Sequence, residues 1–141
     1  MLHLPEEVTN ILEKLGFQHD ITYQFLEPCC GGGHMVEGIL RYIDNPIIVA
    51  TDVKKRENSF LTSHLEKGVI YKYGQEYDFL SDNYEMKESN FVIMNPPFKV
   101  ATPFILHGLN IAKDMLIVFG RTKLVESKGR YEEIFFKVSS Y

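Results

Sequence analysis

Five short apolar runs alternate with amphipathic stretches along the chain, and that alternation leaves few folds open. The runs are Tyr23-Gln24-Phe25-Leu26, Pro46-Ile47-Ile48-Val49-Ala50, Val69-Ile70-Tyr71, Phe91-Val92-Ile93-Met94 and Met115-Leu116-Ile117-Val118-Phe119. Strands buried on two sides need not alternate, so nearly continuous apolarity over so few residues reads as strand. Between the runs the apolar residues fall at helical spacing. Val8, Ile11, Leu12 and Leu15 share a face of a helix predicted from Pro5 to Gly16, with proline in its first turn and glycine as its stop. Val36, Ile39, Leu40 and Ile43 mark a second helix, and Phe60, Leu61 and Leu65 a third over residues 55–67. A fourth is predicted over Pro103–Lys113 and a last one over Leu124–Lys137. Strands alternating with helices predict an α/β fold: a doubly wound, mostly parallel sheet covered on both faces. One domain spanning residues 1–141 is the natural reading of this length.

Composition supports a packed core, with 45% apolar and 24% charged residues. No apolar run approaches a membrane span, and the N-terminus lacks the regions of a signal peptide. Cys29 and Cys30 are adjacent and cannot join distant segments, so a cytosolic protein is expected. A formal charge of −4 gives no global attraction to nucleic acid. Basic residues gather only locally, in Lys54-Lys55-Arg56 and in Arg121, Lys123, Lys128 and Arg130. Such clusters permit a phosphate-facing edge and are equally ordinary solvated surface.

In open α/β sheets ligands bind beyond the carboxyl ends of the strands. Three polar features are predicted at that edge. Glu27-Pro28-Cys29-Cys30-Gly31-Gly32-Gly33 follows the first strand, where glycines let the chain turn sharply and let a ligand approach the backbone. The helix that follows brings its free N–H groups to the same place. Asp52 ends the second strand, where a carboxylate can accept the hydroxyls of a ribose. No register completes the G-x-G-x-x-G pattern of dinucleotide binding, since Val36 or Met35 stands where a glycine is needed. Glu27 beside the loop is poor company for a pyrophosphate. It suits a cationic ligand without phosphate, and Glu27 with Asp52 fits S-adenosylmethionine.

The third feature is Asn95-Pro96-Pro97-Phe98, which stops the fourth strand. Two prolines fix the backbone there, holding an amide, a carbonyl and an aromatic ring in a set relation suited to a planar amine. Taken alone, Asn-Pro is also a common turn signal. Asp78-Phe79-Leu80 follows the third strand. Asp78 could accept a hydrogen bond from an adenine amine while Phe79 packs on the ring, or the pair is a turn acid beside a core phenylalanine.

Together these residues resemble a class I S-adenosylmethionine-dependent methyltransferase, and most closely the N6-adenine DNA methyltransferases with an Asn-Pro-Pro-Phe tetrapeptide and their small phage-type relatives. The resemblance covers about residues 23 to 136. It implies a Rossmann-like methyltransferase fold with S-adenosylmethionine as cofactor and no metal. It further implies cofactor contacts from Glu27, Pro28, Cys29, Gly31, Gly33, Asp52, Val53, Asp78, Phe79 and Asn95. Asn95, Pro96, Pro97 and Phe98 match the catalytic tetrapeptide, and the partner implied is DNA with a flipped adenine. Other targets that such a site would suit are an RNA base or a protein glutamine, and a cofactor- or partner-binding remnant without turnover is the non-enzymatic alternative. The sequence departs from the family in two places. Asn90 stands where many relatives carry an acid. The sequence also stops at Phe135-Phe136-Lys137-Val138-Ser139-Ser140-Tyr141, where relatives continue into two further strands. A sheet ending at strand five leaves an open edge, which a second copy or a partner subunit would complete.

Overall fold

The computed structural model describes residues 4–55, 68–121 and 131–137. Its elements in chain order are α1 (Leu4–Lys14), β1 (Gln24–Glu27), α2 (His34–Tyr42), β2 (Ile47–Asp52), β3 (Val69–Tyr73), β4 (Ser89–Met94), α3 (Ala101–Ile111), β5 (Ala112–Arg121) and β6 (Tyr131–Lys137). The strands form one sheet in the order β3-β2-β1-β4-β5-β6. The first five are parallel and β6 is antiparallel to β5. The predicted helix over 55–67 lies almost wholly outside the described residues. Among these residues no helix is long and apolar enough to cross a membrane.

The sheet is covered on both faces, which explains the unbroken apolarity of its strands. On one face α1 and α2 pack Val8, Ile11, Leu12, Val36 and Ile39 over Phe25, Ile48, Ala50 and Ile93. On the other, α3 and the connection between β3 and β4 pack Phe104, Ile111, Phe79 and Tyr84 over Leu26, Val49, Val92 and Leu116. Helix α1 begins at a proline turn that also carries Glu6 and Glu7, complementing the positive end of the helix. It ends as the sequence predicts. Gly16 takes φ +86°, and Phe17 N–H reaches back to the Leu12 carbonyl while Gly16 N–H reaches Glu13. That pairing is the glycine-terminated helix end that turns Phe17 into the core.

Gly38 is where α1 and α2 approach most closely. A Cβ there would lie 2.6 Å from the Pro5 carbonyl oxygen and 2.7 Å from Val8 Cβ. Neither neighbour is a flexible side-chain end, so Gly38→Ala is expected to destabilise the fold by about 1–3 kcal/mol through overpacking. Urea unfolding at neutral pH measures it; an unchanged midpoint would show that the helices part freely.

The C-terminal segment corrects the sequence reading. Residues 131–137 form a strand, not the end of a helix. β6 pairs along β5 from Arg121↔Tyr131 to Met115↔Lys137. Tyr131, Ile134, Phe135 and Phe136 are strong strand formers, and pairing along a ten-residue β5 overrides any helical spacing in the segment. The sheet therefore does not end at strand five, and the outer edge of β5 is paired within the chain.

Candidate functional site

The carboxyl ends of β2, β1 and β4 lie side by side, because β1 pairs with both of the other strands. The strand order reverses between β1 and β4, and open α/β sheets place their ligand crevice at such a reversal. Asp52 ends β2, Glu27 ends β1 and Asn95 directly follows β4. Three polar residues separated by up to 68 positions are thus brought to one edge.

The glycine turn is fastened to its surroundings. Cys29 N–H donates to Glu27 Oε1 at 3.1 Å, and Gly31 N–H donates to Asp52 Oδ2 at 2.8 Å. Gly31 and Gly33 take φ values of +52° and +91°, in the left-handed region that side chains resist. A Cβ at Gly31 would meet nothing within 4 Å, so glycine is present there for conformation and the space beside it is open. Gly33 precedes α2 directly. Pro28 is buried and Val53, just beyond Asp52, is half-buried.

Two carboxylates dominate the electrostatics. Glu27 is 1% exposed and Asp52 8%. Burial pushes the Glu27 carboxyl up to about 8; the hydrogen bond from Cys29 opposes this and the Asp52 charge adds to it. Burial, reinforced by Glu27, also drives the Cys29 thiol well above its ordinary range, so it is a neutral S–H. That thiol points at the Asn95 carbonyl oxygen, 3.6 Å away, and joins the glycine turn to the start of the tetrapeptide.

The raised carboxyl has a measurable consequence. Below pH 4.5 Glu27 is protonated folded or unfolded; between 4.5 and about 8 only the folded state holds the proton. The unfolded state then binds fewer protons, so stability falls as pH rises through that window. Glu27→Gln cannot ionise. It is expected to be more stable than the wild type at pH 8 by an amount on the order of a few kcal/mol, and the gap should shrink toward pH 5. Parallel urea titrations at the two pH values check this, and a gap independent of pH would contradict it.

Of the other residues singled out by sequence, the tetrapeptide sits where expected. Asn95 and Pro96 are half-buried and Pro97 is exposed. Val100 N–H donates to the Pro97 carbonyl, closing the short 3₁₀ turn Phe98–Val100 that leads into α3. The Phe98 side chain lies outside the described residues. Asp78 caps its own turn, Oδ1 accepting the Leu80 N–H at 3.0 Å. Phe79 is not presented at the edge. Its ring is 1% exposed, stacked on His107 at 4.3 Å and packed against Tyr84 and Phe104. Three aromatic neighbours hold it in the core, which matches the second of the two readings that the sequence allowed, a core phenylalanine beside a turn acid. Lys54 and Lys55 are exposed, while Arg56, Lys123, Lys128 and Arg130 lie outside the described residues.

Two residues at the site carried no sequence signal. Thr51 and Tyr84 pair through their hydroxyls at 2.7 Å across 33 positions. Only the fold brings them together.

Solved structures share this architecture. A proposed RNA methyltransferase from Pyrococcus horikoshii superposes with a TM-score of 0.66 at 18% identity, over 96% of this chain and 84% of that one. A proposed S-adenosyl-L-methionine-dependent methyltransferase from Methanococcus maripaludis gives 0.58 at 15% identity, over 83% and 55%. A proposed hemolysin from Streptococcus thermophilus gives 0.63 at 11% identity, over 83% and 42%. The fold is therefore the Rossmann-like methyltransferase fold. The chain spans about half the length of the latter two proteins. No family model matches the sequence, and no curated protein matches it significantly.

Proposed function

We propose that this chain is an S-adenosylmethionine-dependent methyltransferase acting on the exocyclic N6 amine of adenine in DNA. The observation that carries the reading is the convergence of Glu27, Asp52 and Asn95 on three neighbouring strand ends, with the Cys29 thiol linking the turn to Asn95. The donor set fits the cofactor: the Asp52 carboxylate, beside a buried Glu27 that an arriving cation would ionise, suits a positive charge, and the open space beside Gly31 admits a ligand against the main chain. An ionised carboxylate has about four lone-pair sites. Asp52 uses one for Gly31 and one for a longer contact to Lys54 N–H at 3.3 Å, so it retains acceptors for ribose hydroxyls. The Methanococcus protein of the same fold is itself proposed to depend on this cofactor, which agrees with the assignment.

When bound, S-adenosylmethionine supplies a methyl group on a cationic sulfur. The residues of this chain hold and orient the nucleophile. In this reading the flipped adenine stacks on Phe98, and its amine donates to the Asn95 side-chain oxygen and the Pro96 carbonyl. Those acceptors turn the nitrogen lone pair toward the methyl group and stabilise the positive charge that develops on nitrogen. The methylated amine is then acidic enough to lose its proton without a strong base.

The test is transfer of a labelled methyl group from S-adenosylmethionine to adenine-containing single- and double-stranded DNA, followed by digestion to nucleosides. N6-methyladenosine in its deoxy form is the expected product. The likeness in fold to a proposed RNA methyltransferase makes adenine-containing RNA the second arm. Label in RNA alone would move the substrate from DNA to RNA. Label in neither, with the cofactor bound, would overturn adenine as the target.

A further inference from the structure

The glycine turn is held from within the core by a pair of buried hydroxyls. Thr51 is 0% and Tyr84 1% exposed. Tyr84 Oη lies 2.7 Å from Thr51 Oγ1, which lies 3.3 Å from the Pro28 carbonyl oxygen. A hydroxyl has one proton and a carbonyl oxygen only accepts. Thr51 therefore donates to Pro28, and Tyr84 must donate to Thr51. Burial raises the Tyr84 hydroxyl above its ordinary range, which keeps that proton in place.

The backbone of the same strand end holds the next residues of the turn. Cys30 N–H donates to the Thr51 carbonyl at 3.0 Å, and Gly31 N–H donates to Asp52. Pro28, Cys30 and Gly31 are thus all tied to the last two residues of β2. Tyr84 reaches that strand end from the connection between β3 and β4. Its ring is set edge-on to Phe79 at 5.1 Å, and His107 of α3 donates to the Phe79 carbonyl. Buried polar groups of this kind are satisfied only in one arrangement, so they specify the shape of what they hold.

We infer that Tyr84 and Thr51 are positioning residues, whose hydroxyl relay to Pro28 fixes the glycine turn in the shape that receives the ligand. The effect on ligand affinity rests on the cofactor reading above; the ordering of the turn does not. Neither residue touches the reacting atoms in this account.

The test combines backbone amide exchange on the ligand-free protein with titration of S-adenosylmethionine, for wild type, Tyr84→Phe, Thr51→Val and Thr51→Ser. Tyr84→Phe keeps the ring against Phe79 and removes only the hydroxyl. The Cys30 and Gly31 amides are expected to exchange about tenfold faster, as for loss of one hydrogen bond, while Leu26 and Val49 in the strand ladder stay unchanged. Affinity for the cofactor should fall about tenfold in Tyr84→Phe and Thr51→Val, with the rate at saturation within about twofold of wild type. Thr51→Ser, which keeps the hydroxyl, should restore both. Should Tyr84→Phe not fold, the valine and serine variants carry the same comparison. Uniform acceleration of all amides, or unchanged exchange at Cys30 and Gly31, would overturn the inference and leave the pair as ordinary core. Loosened turn amides in a protein whose wild-type form takes no S-adenosylmethionine would overturn the cofactor reading and uphold the positioning.

Discussion

Asn95→Ala is expected to lower the rate of methyl transfer by about a hundred- to a thousandfold while leaving affinity for S-adenosylmethionine within about threefold. The separation follows from which atoms of Asn95 do what. Its backbone carbonyl accepts the Cys29 thiol and so belongs to the architecture of the turn. Alanine keeps that carbonyl. Only the side-chain amide is lost, and that amide is the acceptor assigned to the target amine. The rate effect is that of removing one preorganised partner of a charge that grows in the transition state. Single-turnover transfer and calorimetric titration on the same preparation measure the two quantities. Equal loss of both would show that Asn95 is structural.

Asp52→Ala is expected to do the reverse, weakening cofactor binding about a hundredfold before it affects the chemical step. Its carboxylate anchors the Gly31 N–H at 2.8 Å and, in the proposed complex, accepts from the ribose. Hydrogen bonds to a charged group contribute roughly 1.5–3 kcal/mol each, and a hundredfold corresponds to about the loss of one or two of them. Asp52→Asn keeps the size and one acceptor, so an intermediate affinity is expected. Undiminished binding by Asp52→Ala would remove Asp52 from the site.

The binding variants meet a second effect at the same edge. Glu27 holds its proton at neutral pH in the ligand-free protein because it is buried beside Asp52. A cation arriving there stabilises the ionised form, so binding releases that proton and tightens as pH rises toward 8. Comparisons between variants therefore belong at one pH.

Much of this arrangement was legible in the sequence because the sheet is buried on both faces. Val92-Ile93-Met94 and Leu116-Ile117-Val118 have no polar member, as strands buried on both faces do, and their shortness argues against a helix. The strand ends were equally legible, since Asp52 and Asn95 each interrupt an apolar run at its carboxyl end. What failed was local reading where pairing decides. The segment 131–137 carries residues compatible with either state, and its antiparallel partner is β5, whose pairing no local pattern announces. Phe79 was legible as apolar but not as core rather than ligand-facing, because its neighbours Tyr84, Phe104 and His107 come from two different elements. The Thr51–Tyr84 pair was invisible for the same reason. A hydroxyl gives no periodic signal, and its partner is fixed by topology alone.

The proposed function requires that the edge formed by Glu27, the glycine turn, Asp52 and Asn95 take S-adenosylmethionine. Calorimetric titration of the folded wild-type protein with that cofactor, run at about pH 7.5 in two buffers of different ionisation enthalpy, measures this. Saturable one-to-one binding is expected, with an apparent heat that differs between the buffers and reports the proton lost from Glu27. Absence of binding by a protein that folds would contradict the proposed function.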